Sequence, residues 1–153
     1  MILDLNYANN SLTQSYNPKV FAQDVGSIIN YQIPFRDQAL LMSSAVPSRD
    51  GLYVIGCREG NFTPSEVLNN LDKGKFLKLL KEEFDYVLIE GAALNDFADS
   101  RELAEYAEEV FTVFSAESVV SQEDNKSIQF IESLGKKNRG AILNNVQLDY
   151  INF

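Results

Sequence analysis

The chain has 153 residues, 45% of them hydrophobic and 23% charged, a balance that suits one ordinary globular domain and excludes a disordered or fibrous chain. Thirteen Lys and Arg against 22 Asp and Glu leave a net charge of -9, which opposes attraction to phosphate backbones and sets nucleic acid aside as a partner. With no His and a single Cys, Cys57, a Ser-His-Asp triad, an internal disulfide and a cysteine-built zinc site are all excluded.

Ile2-Leu3 predicts a first short strand, ending at Asp4. Residues 6–50 are less regular, because Pro18, Pro34 and Pro47 interrupt the pattern, and only Val25 to Ile29 suggests a short helix. Leu52 to Ile55 predicts a second strand, after which Cys57 is expected as a small hydrophobe near the sheet edge. Thr63-Pro64-Ser65-Glu66 combines a capping hydroxyl, proline at the first helical position and glutamate three residues after the cap, so a helix should start there. Beyond Asp72-Lys73-Gly74 a second helix presents Phe76, Leu77, Leu80 and Phe84 at helical spacing.

Tyr86 to Ile89 and Val110 to Phe114 are short unbroken apolar runs and predict buried parallel strands, with Tyr53 and Tyr86 in the core and Tyr7, Tyr16, Tyr31 and Tyr150 in polar surroundings. Asp99 or Ser100 is expected to cap a helix through Tyr106 that turns Leu103 and Ala107 inward. Ser121 should cap another with Ile128, Ile131 and Leu134 on one face, and Gly135 should stop it before a last strand, Ala141 to Leu143. Strand, helix, strand, helix, strand over residues 86–144 predicts an α/β fold: a doubly wound, mainly parallel sheet flanked by helices, as one domain over residues 1–153. No apolar run approaches the roughly 20 residues that cross a bilayer, and no signal peptide opens the chain, so a cytoplasmic location without membrane insertion is expected.

In open α/β sheets ligands collect beyond the carboxyl ends of the strands. The residues there are Asp4, Glu90, Ser115 and Asn144. Asp4 and Glu90 would share one rim and could hold a hydrated Mg²⁺, although acidic residues at strand ends also serve as solvated or helix-capping groups. The chain contains no G-x-x-x-x-G-K-[ST] and no G-x-G-x-x-G, and Gly56 to Gly60 and Gly91-Ala92-Ala93 are better read as turns. Lys136, Lys137 and Arg139 form the one cationic cluster, for which a solvated helix C-terminus suffices.

Ile2-Leu3-Asp4-Leu5-Asn6, Gly26 to Ile29, Gly51 to Ile55, Pro64 to Leu68, Phe84 to Glu90, Asp99 and Gly140 to Asn144 follow one another in the order and spacing of a single known domain. From Asp4 to Asn144 the chain resembles the cytoplasmic domain of the bacterial tyrosine autokinases of capsular and exopolysaccharide biosynthesis, relatives of the deviant Walker ATPases. The resemblance implies a P-loop NTPase-like fold, incomplete at the N-terminus, because the chain begins after the place of the glycine-rich loop, its strand and its helix. It implies ATP and Mg²⁺ as cofactors, with Asp4 and Glu90 at the metal and Asn144 near the adenine. The second motif stands as Asp4-Leu5-Asn6 with Ala8 in place of arginine, and the third as Glu90-Gly91-Ala92-Ala93. Of the tyrosine-rich tail only Tyr150 is in reach. The expected strand before Asp4 is central in the family's sheet, so its absence should expose apolar surface unless neighbours close up or another chain covers it.

These departures predict a domain that is not a kinase as it stands and needs no cofactor. It would belong to a protein of polysaccharide chain length or export, acting through self-association or a membrane-anchored export partner at the cytoplasmic face of the inner membrane. An ATP-dependent tyrosine autokinase whose glycine-rich loop lies outside this chain is the alternative. A generic doubly wound domain sharing the architecture alone is the third reading.

Overall fold

The computed structural model describes residues 1–16, 52–68, 73–122 and 124–147. The expected helix at Val25 to Ile29, Tyr31, Tyr150 and the three prolines of the irregular region lie outside the described residues. The chain divides into two compact units, Met1–Ala92 and Ala93–Phe153.

In the first unit, β1 (Ile2–Asp4) is followed by α1 (Ser11–Tyr16), β2 (Val54–Ile55), α2 (Pro64–Leu68), α3 (Lys73–Glu83) and β3 (Leu88–Glu90). The strands are parallel in the order β2-β1-β3. Ile2 and Leu3 pair with Val54 and Ile55 on one side and with Leu88 and Ile89 on the other, and Asp4 pairs with Glu90. Leu3, Leu5, Val54, Ile55 and Leu80 are fully buried, with Phe76 and Phe84 beside them. Burying several such side chains contributes about 2 kcal/mol each before conformational entropy is subtracted.

The helix predicted at Pro64 begins there, and its capping box is complete. The Glu66 N–H donates to Thr63 Oγ1 (3.2 Å) while the Thr63 N–H donates to Glu66 Oε2 (2.8 Å). Phe76, Leu80 and Phe84 turn inward at helical spacing, and the Phe84 ring meets Tyr53 edge-on, 5.3 Å between centroids. Tyr7, expected in polar surroundings, is instead fully buried against the edge of Phe62. Helix α1 was not anticipated, because Ser11 to Tyr16 lacks an apolar stripe. Its first turn is capped by a side chain from β1, the Asp4 carboxylate, which accepts the Thr13 N–H.

The second unit runs α4 (Asp99–Tyr106), β4 (Val110–Ser115), α5 (Asn125–Ser133), a 3₁₀ turn (Gly135–Lys137) and β5 (Asn138–Asn144). Strands β4 and β5 are parallel, with Val113 opposite Ile142, Phe114 opposite Leu143 and Ser115 opposite Asn144. Arg101 of α4 lies over the Phe130 ring of α5, 5.0 Å from its centroid. Gly135, with φ of +55°, ends α5 in the left-handed conformation that glycine adopts without strain.

Four local expectations are corrected. Ala98, not Asp99 or Ser100, occupies the cap position of α4, and Ala104 rather than Ala107 is buried beside Leu103. Helix α5 starts at Asn125, with Asp124 ahead of it. The Asp124 carboxylate accepts the Ser121 N–H, so Ser121 belongs to the turn before the helix. Tyr86 is 79% exposed and lies ahead of β3, whose ladder starts at Leu88. The two runs expected as buried strands do form parallel strands, yet Leu88, Phe111 and Val113 are exposed. A run of apolar residues specifies a strand suited to burial on both faces. It does not supply the layer that covers it.

Candidate functional site

Asp4 and Glu90 are brought together at the carboxyl end of the three-stranded sheet, as register partners on adjacent parallel strands. Asp4 exposes no surface. Its Oδ1 accepts the Asn6 N–H at 2.9 Å, and its Oδ2 accepts the Thr13 N–H at 3.0 Å and the Thr13 hydroxyl at 2.5 Å. Asp4 therefore turns the chain just after β1 and also caps the first turn of α1.

The Thr13 hydroxyl, which donates its hydrogen bond to Asp4, accepts the Cys57 N–H at 2.9 Å. The Cys57 carbonyl accepts from Asn10 Nδ2 at 2.9 Å, and the Gly60 N–H donates to the Tyr7 carbonyl at 3.0 Å. Cys57 Sγ faces the Asn6 carbonyl at 3.5 Å. Burial and then the nearby charge of Asp4 push the Cys57 thiol up to about 12, so it is a protonated, inert side chain at neutral pH.

Glu90 is less enclosed, but its Oε2 is buried and accepts no hydrogen bond among the described residues. Desolvation, followed by repulsion from Asp4, raises its carboxyl above the ordinary value, and a hydrogen bond from Asn6 partly offsets this. Chemically the rim offers one buried carboxylate held by three donors and one carboxyl whose proton is held more tightly than usual. No group of three or more Cys, Asp and Glu able to hold a metal ion occurs among the described residues.

Asn144 lies in the second unit at the end of β5 and is exposed. Its carbonyl accepts the Ala116 N–H at 2.8 Å and its Oδ1 accepts the Asn145 N–H at 2.9 Å, which shapes a turn in which Asn145 adopts a φ of 58°. Two of the three clustered cations are engaged. Lys137 Nζ donates to the Ala104 and Glu105 carbonyls at the end of α4, 3.1 Å each, and Arg139 pairs with Glu109 at 2.6 Å. Asn6, read in the sequence as part of the second motif, belongs to this polar cluster; Thr13 and Asn10, which complete it, were missed in the sequence. The available signal was the run of Asn residues directly after a strand, a composition that favours side-chain bonds to backbone.

No family model matches the chain, and no curated protein matches it in sequence. Solved structures do match. The chimerical protein CapA2B2 superposes with a TM-score of 0.71 at 19% identity over 95% of this chain and 62% of its own. The kinase domain of Escherichia coli tyrosine kinase ETK gives 0.68 at 15% identity over 99% of this chain and 58% of its own. The fold is that of a bacterial tyrosine kinase domain. The BceF tyrosine kinase domain agrees, at 0.60 and 21% identity over 93% of this chain and 54% of its own.

The chain therefore carries the α/β fold of these kinase domains and spans less than two thirds of the length of the solved structures it matches. Among its described residues no helix is long and apolar enough to cross a membrane.

Proposed function

We propose that the chain is a tyrosine-kinase-like domain of the capsular and exopolysaccharide type that works by protein contact, not by phosphoryl transfer, within a protein of polysaccharide chain length or export. The observation that carries this reading is the surface of the second unit. Side chains alternate along a strand, so Val113 and its partner Ile142 share one face, and Phe114 and Leu143 share the other. Val113 is 60% exposed, Ile142 52% and Leu143 60%. Parallel strands are ordinarily covered on both faces, and exposed apolar side chains on both faces of a strand pair in a chain of this charge favour a protein neighbour. Self-association or a membrane-anchored export protein fits that surface.

The chemistry supports the same side. Phosphoryl transfer depends on groups that neutralise the β and γ phosphates, and the chain contains no glycine-lysine loop to do so. A second reading keeps an ATP-dependent tyrosine autokinase completed by chain outside these residues. One observation favours it: more than a third of each solved domain has no counterpart in the match.

Calorimetry with Mg²⁺-ATP tests the choice. The expected result is no saturable binding tighter than about 100 μM, or about -5.5 kcal/mol. Tighter binding, or transfer of the γ-phosphate to a tyrosine of the chain, overturns the contact reading. Asp4→Ala and Glu90→Ala would then show whether either carboxylate carries the magnesium dependence.

A further inference from the structure

We infer that the acidic rim at Asp4 is a closed structural clasp, so that Asp4 serves the fold and is not a ligand for Mg²⁺. Three donors occupy its carboxylate: the N–H and the hydroxyl of Thr13 fill both positions of Oδ2, and the Asn6 N–H takes one of the two on Oδ1. A cation taking Oδ2 would displace the Thr13 proton, and that hydroxyl is also the acceptor for the Cys57 N–H.

What the clasp holds explains why it exists. Strand β2 has only two residues in the ladder, Val54 and Ile55, so backbone pairing alone secures little of the chain beyond it. Beyond the ladder, side chains hold Cys57, and the Gly60 N–H bonds the Tyr7 carbonyl. Thr13 satisfies the N–H of Cys57 and Asn10 satisfies its C=O. Asp4 fixes Thr13, and thereby α1, to the end of β1. The segments after β1 and after β2 are thus laced together across the rim where an α/β sheet would present a ligand.

Access decides against the metal as well. Mg²⁺ gives up its waters reluctantly and is bound with several of them retained, whereas Asp4 has no exposed surface from which to meet a hydrated ion. The kinase-like fold is kept at this rim, and its interior side is filled by the chain's own donors.

Thermal melting of the whole chain, without nucleotide, tests this separately from the proposed function. Thr13→Val should lower the midpoint by roughly 5 °C while Thr13→Ser, which keeps the hydroxyl, stays near wild type. Asp4→Asn should lower it by about 5 to 10 °C, and the two losses should combine to less than their sum because they share one bond. Replacing sodium by about 10 mM Mg²⁺ at matched ionic strength should leave the wild-type midpoint unmoved. Equal stability of Thr13→Val and Thr13→Ser overturns the clasp, and so does a saturable Mg²⁺-dependent rise that Asp4→Asn removes. If Asp4→Asn does not fold, the Thr13 pair and the wild-type magnesium titration still decide. A chain that bound ATP yet showed these melting results would lose the contact reading and keep the clasp.

Discussion

Two groups at the rim, the half-buried Glu90 and the buried Cys57, titrate in ways that can be checked residue by residue. Glu90 has a folded-state value raised by desolvation and by Asp4, so the folded chain holds this proton more tightly than the unfolded chain does. The stability it contributes is complete below its ordinary value of 4.5 and is lost as pH rises through the folded value. Glu90→Gln keeps the shape without the charge. It should stabilise the protein at neutral pH and flatten the fall in urea midpoint above pH 4.5, and parallel pH profiles for the two proteins would refute this. Cys57 follows the same sign at the other end of the scale, between 9.0 and about 12. At about pH 8 its thiol should react with an aromatic disulfide reagent at the rate of global unfolding only, whereas an immediate reaction in the native state would place it at the surface.

At the scale of elements, the second helix and the end of the fourth strand's neighbour helix show what a short helix needs. Helix α2 has five residues and could not persist on propensity alone, so the reciprocal bonds of Thr63 and Glu66 matter out of proportion to their exposure. Thr63→Ala should cost about 1 kcal/mol in chemical denaturation, and a loss below about 0.3 kcal/mol would show the box to be idle. Lys137 does for α4 at its C-terminus what Thr63 does for α2 at its N-terminus, donating to the last carbonyls, and Lys137→Met should cost about 0.5 kcal/mol, with salt weakening the difference. Pro64 and Thr63 were legible in the sequence because capping is a local code. The strands were legible for the same reason, since β-branched and aromatic runs declare themselves at Val54-Ile55 and Val110 to Phe114. Their pairing into three strands and two, and the exposure of Tyr86 and Leu88, were not legible, because coverage of a strand depends on residues distant in the chain. The rim was half legible. Asp4 and Glu90 stand out as strand-end acids, but whether a carboxylate meets solvent or three donors depends on Thr13, nine positions away, and no spacing rule marks that residue.

For the whole molecule, the unfavourable element is the apolar surface of β4 and β5, and the charge of -9 works against its being left to associate indiscriminately. Electrostatic repulsion between copies is long-ranged and screened by salt, whereas apolar contact is short-ranged and is not. If the second unit's exposed faces mediate contact, raising salt from about 50 to 500 mM should strengthen self-association, because screening removes the repulsion and leaves the apolar attraction. Val113→Thr with Ile142→Thr keeps β-branched side chains on the opposed pair while removing apolar area from one face. Sedimentation velocity should therefore find the salt-promoted oligomer in the wild type and a loss of about tenfold in association constant in the double variant, the equivalent of roughly 1.4 kcal/mol. The circular dichroism of the two proteins should coincide. Association that weakens with salt, or that survives the double substitution unchanged, would assign the contact to charged groups and leave the apolar faces of β4 and β5 without the role proposed for them.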